Sequence, residues 1–170
     1  HEPTTFHGVQ RPSVERNVIP TTWRENGVGV FGQWRGLQYR SYLLSGLQAD
    51  AGTGPTGFSG ATGIRNGRSS GARSAAEDFA WVGRVDATPI EGVLLGGSLY
   101  TGQADQGMND FAGQDVPVTL WEGHAKAEYR GLQLKALYTE GRIGNAAAVN
   151  RAQGVALGAN GGVGSRLFGG

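Results

Sequence analysis

The chain has no cysteine, only two lysines, and no apolar run long enough for a membrane-spanning helix. The absence of cysteine excludes a disulfide framework and any thiolate metal site. An α-helical span needs about 20 consecutive apolar residues, and no such run exists. A membrane-spanning β-strand needs only about 9–11 alternating residues, so the hydropathy test leaves that class open.

The composition is also poor in helix-forming segments and in clustered charge. The 170 residues include 31 glycines, and each glycine in a helix costs about 1 kcal/mol relative to alanine. Apolar residues are mostly spaced by two, which is typical of strands. The formal net charge is +1 and the arginines are dispersed, so no basic stripe predicts a nucleic-acid partner. We therefore expect an all-β protein.

The clearest pattern lies between Val118 and Tyr138, where two alternating runs meet at Gly131. Because side chains alternate across a strand, these runs predict a β-hairpin with one apolar and one charged face. The apolar face meets either a protein core or lipid. The charged face of the first run carries Glu122, His124, Lys126, Glu128 and Arg130, and the apolar face carries Trp121, Ala125, Ala127 and Tyr129.

Six strands in three hairpins are predicted along the chain. Their ranges are 27–35 with 37–47, 79–87 with 93–102, and 118–130 with 132–140, within a single segment over 1–170. Residues 1–25 are expected to form a loop, 26–140 the strands, and 141–170 a glycine-rich loop or tail without a closing strand. We expect the chain to be part of a longer protein, incomplete at both ends.

Short and long connections between these strands alternate strictly. Outer-membrane barrels have short periplasmic turns and long extracellular loops, so the alternation predicts an antiparallel up-and-down meander that is part of a transmembrane β-barrel. An antiparallel sandwich with uneven loops is the alternative. The second strand is less regular than the others, because Tyr42 and Leu44 interrupt its polar face.

The aromatic residues fall into two groups along the strands. One group lies near the short turns, and the other, which includes Tyr100, lies toward the long loops. Tyr and Trp collect at both membrane interfaces, although strands favour aromatic residues in general. The candidate lipid-interface aromatics are Trp34, Tyr39, Trp81, Trp121, Tyr129 and Tyr138.

Charged residues recur on the opposite face and would line water in a wide barrel. Their mixed signs would orient polar solutes without strongly rejecting either ion sign. Loop arginines would add positive potential if their loops fold inward. The candidate pore-lining residues are Arg40, Arg84, Asp86, Glu122, His124, Lys126, Glu128, Arg130 and Lys135, and the candidate loop arginines are Arg11, Arg16, Arg24, Arg65, Arg68 and Arg73.

Motifs for catalysis and metal binding are weak. Residues 27–32 and 52–57 fit GxGxxG, but neither follows a strand and opens a helix, as a nucleotide site requires. His1 and His7 are six positions apart, which does not suit two metal ligands on one helix. No nucleophile and base can be paired from the sequence. We predict no enzyme, no cofactor and no metal.

Several segments resemble bacterial outer-membrane porins, in particular the phosphate-selective porins and related uncharacterised porin-like proteins. They are His1-Glu2-Pro3-Thr4-Thr5-Phe6, Val9, Arg11-Pro12, Val14-Glu15, Ile19 to Glu25 with Gly27-Val28-Gly29, then Gly63 to Arg68, Phe79 to Val85 and Val149-Asn150. The resemblance implies a wide antiparallel barrel in the bacterial outer membrane, commonly a homotrimer, for passive diffusion of small hydrophilic solutes. Such porins have about sixteen strands, and the phosphate-selective members use lysine- and arginine-rich constrictions, whereas lysine occurs here only at Lys126 and Lys135.

The sequence thus predicts part of an outer-membrane porin-like channel for small hydrophilic solutes or ions, with anion selectivity left open. Its partners would be the lipid bilayer and small polar solutes. Two alternatives remain open. One is a soluble antiparallel β-sandwich that binds carbohydrate through Trp34, Trp81 or Trp121. The other is a plugged barrel that acts as a receptor or adhesin through its long loops.

Overall fold

A computed structural model describes residues 23–49, 57–71, 77–107, 111, 113–155 and 161–169. In these ranges the chain forms nine strands and one short helix. They are β1 (Gly27–Trp34), β2 (Leu37–Ser45), β3 (Gly57–Ser59), β4 (Gly63–Asn66), β5 (Phe79–Ile90), β6 (Val93–Gln103), β7 (Pro117–Tyr129), β8 (Leu132–Ile143), α1 (Ala146–Ala152) and β9 (Arg166–Gly169).

The large sheet has seven strands in the order β1-β2-β5-β6-β7-β8-β9, and all neighbours are antiparallel. The strands β3 and β4 form a separate two-stranded hairpin inserted between β2 and β5. The prediction of an all-β antiparallel meander is confirmed. The six predicted strands correspond to β1, β2, β5, β6, β7 and β8, and each predicted pair forms a hairpin.

Two predictions of local structure need correction. The strand β5 continues to Ile90, so the second turn is Glu91-Gly92 rather than residues 88–92. Residues 141–170 are not only a loop or tail, because they contain the end of β8, the helix α1 and the strand β9. These elements are too short for hydrophobic periodicity to reveal them. The alanine-rich sequence of α1 favours a helix, and this helix begins directly after Asn145, whose backbone has a left-handed conformation. No helix in the described ranges is long and apolar enough to cross a membrane.

The first and third hairpins close with two-residue turns. Arg35 and Gly36 have φ values of 46° and 82°, and Arg130 and Gly131 have φ values of 47° and 86°. Positive φ at both central residues is typical of the type I′ turn, whose twist matches that of the flanking strands. These turns fix the register of both hairpins.

The register also sorts the side chains onto two faces, because paired residues of antiparallel neighbours share a face. Leu95 of β6 pairs with Ala125 of β7 on one side, and this side is called the apolar face. Ser98 pairs with Arg84 and with Glu122 on the other side, which is called the polar face. Every strand of the meander contributes to both faces.

The buried core lies on the polar face, at the end of the sheet that carries the long loops. Tyr100, Leu120 and Ile143 contribute to it from the sheet, and Phe58 and Val149 contribute from the loops and α1. The described loops therefore cover the long-loop end of the polar face and leave the apolar face uncovered. The large apolar side chains exposed on the apolar face are Val28, Val30, Trp34, Leu37, Tyr39, Leu43, Phe79, Trp81, Val85, Ile90, Leu95, Leu99, Trp121, Tyr129, Leu132, Leu134, Tyr138 and Phe168.

Candidate functional site

Four charged or titratable side chains form a network at the centre of the polar face. Arg84 donates to Asp86 through Nε (2.7 Å) and Nη2 (2.9 Å). His124 Nε2 lies 2.8 Å from Asp86 Oδ1, and His124 Nδ1 lies 3.0 Å from Glu122 Oε2. Asp86 and Glu122 are nearly buried. We call these four residues, Arg84, Asp86, Glu122 and His124, the central network.

The central network crosses a strand that contributes no side chain to it. Asp86 lies on β5 and His124 on β7, and the intervening residue of β6 in their row is Gly96. Strands are about 4.8 Å apart, so side chains two strands apart can meet only if nothing stands between them. A Cβ at Gly96 would collide with Asp86 Oδ1 and with the His124 ring. The missing side chain therefore permits the contact.

The arrangement of the network holds His124 between two carboxylates. Each ring nitrogen faces an acidic oxygen, so an imidazolium would donate to Glu122 from one nitrogen and to Asp86 from the other. Arg84 Nη2 also lies 3.2 Å from His124 Nε2. The central network thus brings positive and negative groups close together, and such an arrangement creates a local electric field across the polar surface.

The remaining predicted pore-lining residues of the polar face lie on both sides of the central network. Arg40 is exposed and pairs with Arg84 in the register of β2 and β5. Toward the short turns, Lys126 Nζ lies 2.7 Å from Glu128 Oε1, and Lys135 pairs opposite Lys126. Thus eight of the nine predicted residues share the polar face: Arg40, Arg84, Asp86, Glu122, His124, Lys126, Glu128 and Lys135.

Arg130 does not belong to this group, and its placement needs correction. It occupies the turn between β7 and β8, and its guanidinium lies over the ring of Tyr129, 5.1 Å from the centroid. The alternation of the sequence extends through Arg130, but the strand ends one residue earlier. The left-handed conformation at the turn changes the direction of the side chain, which alternation alone cannot reveal.

The structure describes three of the predicted loop arginines. Arg24 and Arg65 are exposed, and Arg68 Nε donates to the carbonyl oxygen of Arg65 (2.6 Å). Burial, with a smaller contribution from Arg65, lowers the pKa of Arg68. Arg11, Arg16 and Arg73 lie outside the described residues. The hairpin β3-β4 that carries Arg65 packs against the polar face through Phe58 and Ile64.

The predicted interface aromatics Trp34, Tyr39, Trp81, Trp121, Tyr129 and Tyr138 are all exposed on the apolar face. Trp121 and Tyr138 touch, with ring centroids 5.3 Å apart, and Trp81 Nε1 donates to Ser41 Oγ (2.9 Å). Tyr100 was grouped with them by position and belongs elsewhere. It lies buried on the polar face, where its hydroxyl accepts from the Leu47 amide (3.3 Å) and its ring packs on Trp23.

Sequence reasoning missed three features of the site. The first is Gly96, for which the only signal was a glycine inside a strand, a position that often marks close approach of other groups. The second is a cavity of about 260 Å³ beside the central network, lined mainly by Trp23, Val82, Tyr100, Leu120 and Glu122. The third is a charged trio on the apolar face, in which Glu140 Oε1 contacts both Arg142 (3.3 Å) and Arg166 (2.8 Å).

Among the residues that the structure describes, no group of three or more His, Cys, Asp or Glu side chains is arranged to hold a metal ion.

No protein-family model matches the chain, and no solved structure matches it. The chain is similar to an uncharacterized protein of Aquifex aeolicus (strain VF5), with 31% identity over 136 residues. The match covers 79% of this chain but only 29% of that protein, so the chain spans less than a third of its relative's length.

Proposed function

We propose that the chain is part of an outer-membrane porin-like β-barrel that conducts small hydrophilic solutes or ions. The observation that carries the proposal is the one-sided distribution of exposed apolar side chains. Apart from Phe31, every large apolar side chain exposed in the meander lies on the apolar face. Exposed apolar patches larger than a few hundred Å² are rare on soluble monomers, whereas a lipid-facing sheet requires one.

The distribution of charge on the apolar face supports a lipid-facing band. On the seven strands of the meander that the structure describes, its only charged side chains are Glu140, Arg142 and Arg166. They lie at least eight residues from the turn between β7 and β8. Closer to the turns this face carries apolar, small and aromatic residues. A charge near the bilayer midplane costs about 2–4 kcal/mol in a transmembrane barrel, so this exclusion is what lipid contact predicts.

The aromatic residues of the apolar face lie at two levels. Trp34 and Tyr129 flank short turns, whereas Trp121 lies eight residues before the end of β7 and Tyr138 six residues after the start of β8. Trp81 also lies toward the long loops, nine residues before the end of β5. That count includes the residues at which the register with β6 shifts, between Ala87 and Ile90. Eight residues span about 26 Å along a strand, which is about 22 Å of height when barrel strands tilt by about 35°. This approaches the ~25 Å height of the apolar band between the aromatic girdles of outer-membrane barrels.

The stagger of the hairpins supports closure into a barrel. Leu37, the first residue of β2, shares a row with Ala87, Leu95, Ala125 and Ala136, but β8 begins at Leu132, four residues before Ala136. The strand β8 is four strands away from β2 in the sheet, so the shift is one residue per strand. If the turns lie in one plane, a rise of about 3.3 Å against a spacing of about 4.8 Å tilts the strands by about 35°. Barrel strands tilt by 35–45°.

The polar face would then line water. The polar face carries the central network and, on either side of it, Arg40, Lys126, Glu128 and Lys135. Together they form a hydrated surface with positive and negative charges, which would orient polar solutes. Both outer edges of the meander, β1 and β9, offer backbone groups to further strands. The homotrimer and the outer-membrane location that the porin resemblance implies are part of this proposal.

One observation favours a second candidate, the plugged barrel that acts as a receptor or adhesin. The loops and α1 pack onto the polar face and bury Phe58, Phe111 and Val149 there. In a barrel this packing would place loops over the lumen at the long-loop end. If the loops only narrow the lumen, the barrel still conducts solutes. If they fill the lumen, the barrel cannot conduct, and the loops would then serve a receptor or adhesin.

Conductance of the full-length protein in a planar bilayer tests the proposal. Any cysteine outside this chain is first replaced by serine, and Gln133→Cys and Leu134→Cys then place a thiol on the polar and the apolar face respectively. We expect stepwise conductance that a charged methanethiosulfonate changes at residue 133 and not at residue 134.

Each contrary result has a distinct meaning. Folded protein in the bilayer without conductance would contradict the channel and favour the plugged receptor. Protein that is monodisperse and folded in plain buffer would contradict both membrane proposals and favour the soluble β-sandwich. Equal modification effects at both positions would contradict the assignment of faces.

A further inference from the structure

The apolar face ends at the long-loop side in a small basic cluster. Arg142 of β8 and Arg166 of β9 are direct neighbours in the register, and Glu140 lies two residues before Arg142, in the same row as Trp121 and Phe168. The side chains of Arg142 and Arg166 are 71% and 62% exposed, whereas that of Glu140 is 10% exposed. The pair is therefore accessible from outside the sheet.

The charges of this cluster do not balance. A single oxygen of Glu140 receives Arg142 Nε at 3.3 Å and Arg166 Nη2 at 2.8 Å. Two guanidinium groups share one carboxylate, which leaves a net charge of +1. Like charges directly opposite one another in a sheet are destabilising, so the pair gains from a second anion. An arginine has five N–H donors, and one contact with Glu140 leaves most of them for another acceptor.

The surroundings of the cluster indicate what that anion is attached to. Phe168 pairs with Glu140, and Trp121 pairs with Glu140 from the other side. Both rings are exposed on the apolar face. An acceptor at the arginines would therefore sit directly above a surface that favours hydrocarbon. A free inorganic anion would gain nothing from these rings, whereas an anionic lipid would contact both parts of the surface.

We propose that Arg142 and Arg166 bind the phosphate of an anionic lipid headgroup, with the acyl chains lying on Trp121, Tyr138 and Phe168. The inference rests on the proposed function, which supplies the bilayer, and it adds a specific lipid site at the long-loop side. Guanidinium groups recognise phosphate through paired hydrogen bonds, and basic residues at a membrane surface select anionic headgroups.

Lipid binding to the full-length protein in detergent, followed by native mass spectrometry, tests the inference. The probes are phosphatidylglycerol and a monoglucosyl diacylglycerol with the same acyl chains, which carries no phosphate. We expect the protein to prefer phosphatidylglycerol by about fivefold, because the cluster carries a net charge of +1 and one basic charge near a headgroup contributes about 1 kcal/mol. The variant Arg142→Gln/Arg166→Gln should lose this preference.

Two further variants make the result specific. The control Arg40→Gln/Arg65→Gln removes the same charge from exposed positions, one on the polar face of β2 and one on β4, and should keep the preference. Glu140→Gln retains both arginines and removes their shared carboxylate, so it should strengthen phosphatidylglycerol binding. A structural ion-pair cluster without a lipid role would leave lipid affinity unchanged in Glu140→Gln.

The outcomes separate this inference from the proposed function. If the wild-type protein enters bilayers and conducts but shows no phosphate preference, or if inorganic phosphate at equal concentration displaces the lipid, the lipid site is overturned and the channel stands. If the full-length protein takes up no lipid and stays folded in buffer, both proposals fall.

Discussion

Asp86 Oδ1 and His124 Nε2 lie 2.8 Å apart although their strands are not neighbours. The strand β6 runs between β5 and β7, and the contact passes over Gly96. The glycine therefore has a packing role that is visible only when three strands are considered together. The contact links β5 to β7 directly through side chains, in addition to the backbone hydrogen bonds that each of these strands makes with β6.

The role of Gly96 predicts a specific loss of stability. Gly96→Ala places a Cβ against Asp86 and His124, so the central network must open. We expect a cost of about 1–3 kcal/mol, typical of overpacking a filled site. The measurement is the unfolding midpoint of the full-length protein in detergent. The matched control is Gly123→Ala on β7, where a Cβ meets nothing within 4 Å. Equal effects of the two substitutions would contradict the bridging role of Gly96.

The apolar face predicts a graded response to arginine substitutions. Ala136 lies four residues after the start of β8, Leu134 lies two residues after it, and both belong to the apolar face. If this face meets lipid, Ala136→Arg should cost about 2–4 kcal/mol and Leu134→Arg less, because the cost depends on depth. Gln133→Arg on the polar face should be nearly neutral. Unfolding equilibria of the folded protein in lipid measure all three. Equal costs at residues 133 and 136 would show that the faces are assigned wrongly.

Asp78 predicts a pH dependence that arises in the loops. Burial, reinforced by Asp105, Asp115 and Glu77, raises the pKa of Asp78, although its hydrogen bond from the Gln106 amide (2.6 Å) opposes the shift. Because the folded-state pKa lies above the unfolded value, this carboxyl group lowers stability as pH rises from about 3.8 through the folded pKa.

The variant Asp78→Asn keeps an acceptor for Gln106 and removes the charge. It should therefore unfold at a higher temperature than wild type at pH 7, and the difference should shrink as the pH falls toward 4. Thermal unfolding at both pH values measures this. A wild-type protein that is the more stable of the two at pH 7 would contradict the proposed cost of the charge.

Most of the sheet could be predicted from the sequence because a half-exposed strand records its two faces in every second residue. The alternation around Gly131 and the short turns gave the three hairpins and nearly all residues of the polar face. The irregular second strand also has an explanation. Leu44 lies on the polar face because it packs against the buried core under the loops, together with Val82.

The remaining features depend on contacts between distant parts of the chain. Glu122 and His124 are two residues apart, so their shared face was predictable, but their contact with Asp86 requires the strand order and the glycine at residue 96. The burial of Tyr100 requires the loops that cover it. The strand β9 has four residues, too few for alternation to distinguish it from a loop.

The central claim is that the apolar face meets lipid and the polar face meets water. Spin labels test it directly, because this chain has no cysteine of its own. Any cysteine of the full-length protein outside this chain is first replaced. The substitutions Lys135→Cys and Ala136→Cys, made one at a time, then place the label on the polar and the apolar face of β8, and each labelled protein is reconstituted in a bilayer. We expect the label at residue 136 to collide mainly with oxygen, which concentrates in the bilayer, and the label at residue 135 to collide mainly with a water-soluble nickel complex. Equal accessibility to the nickel complex at both positions would contradict the account.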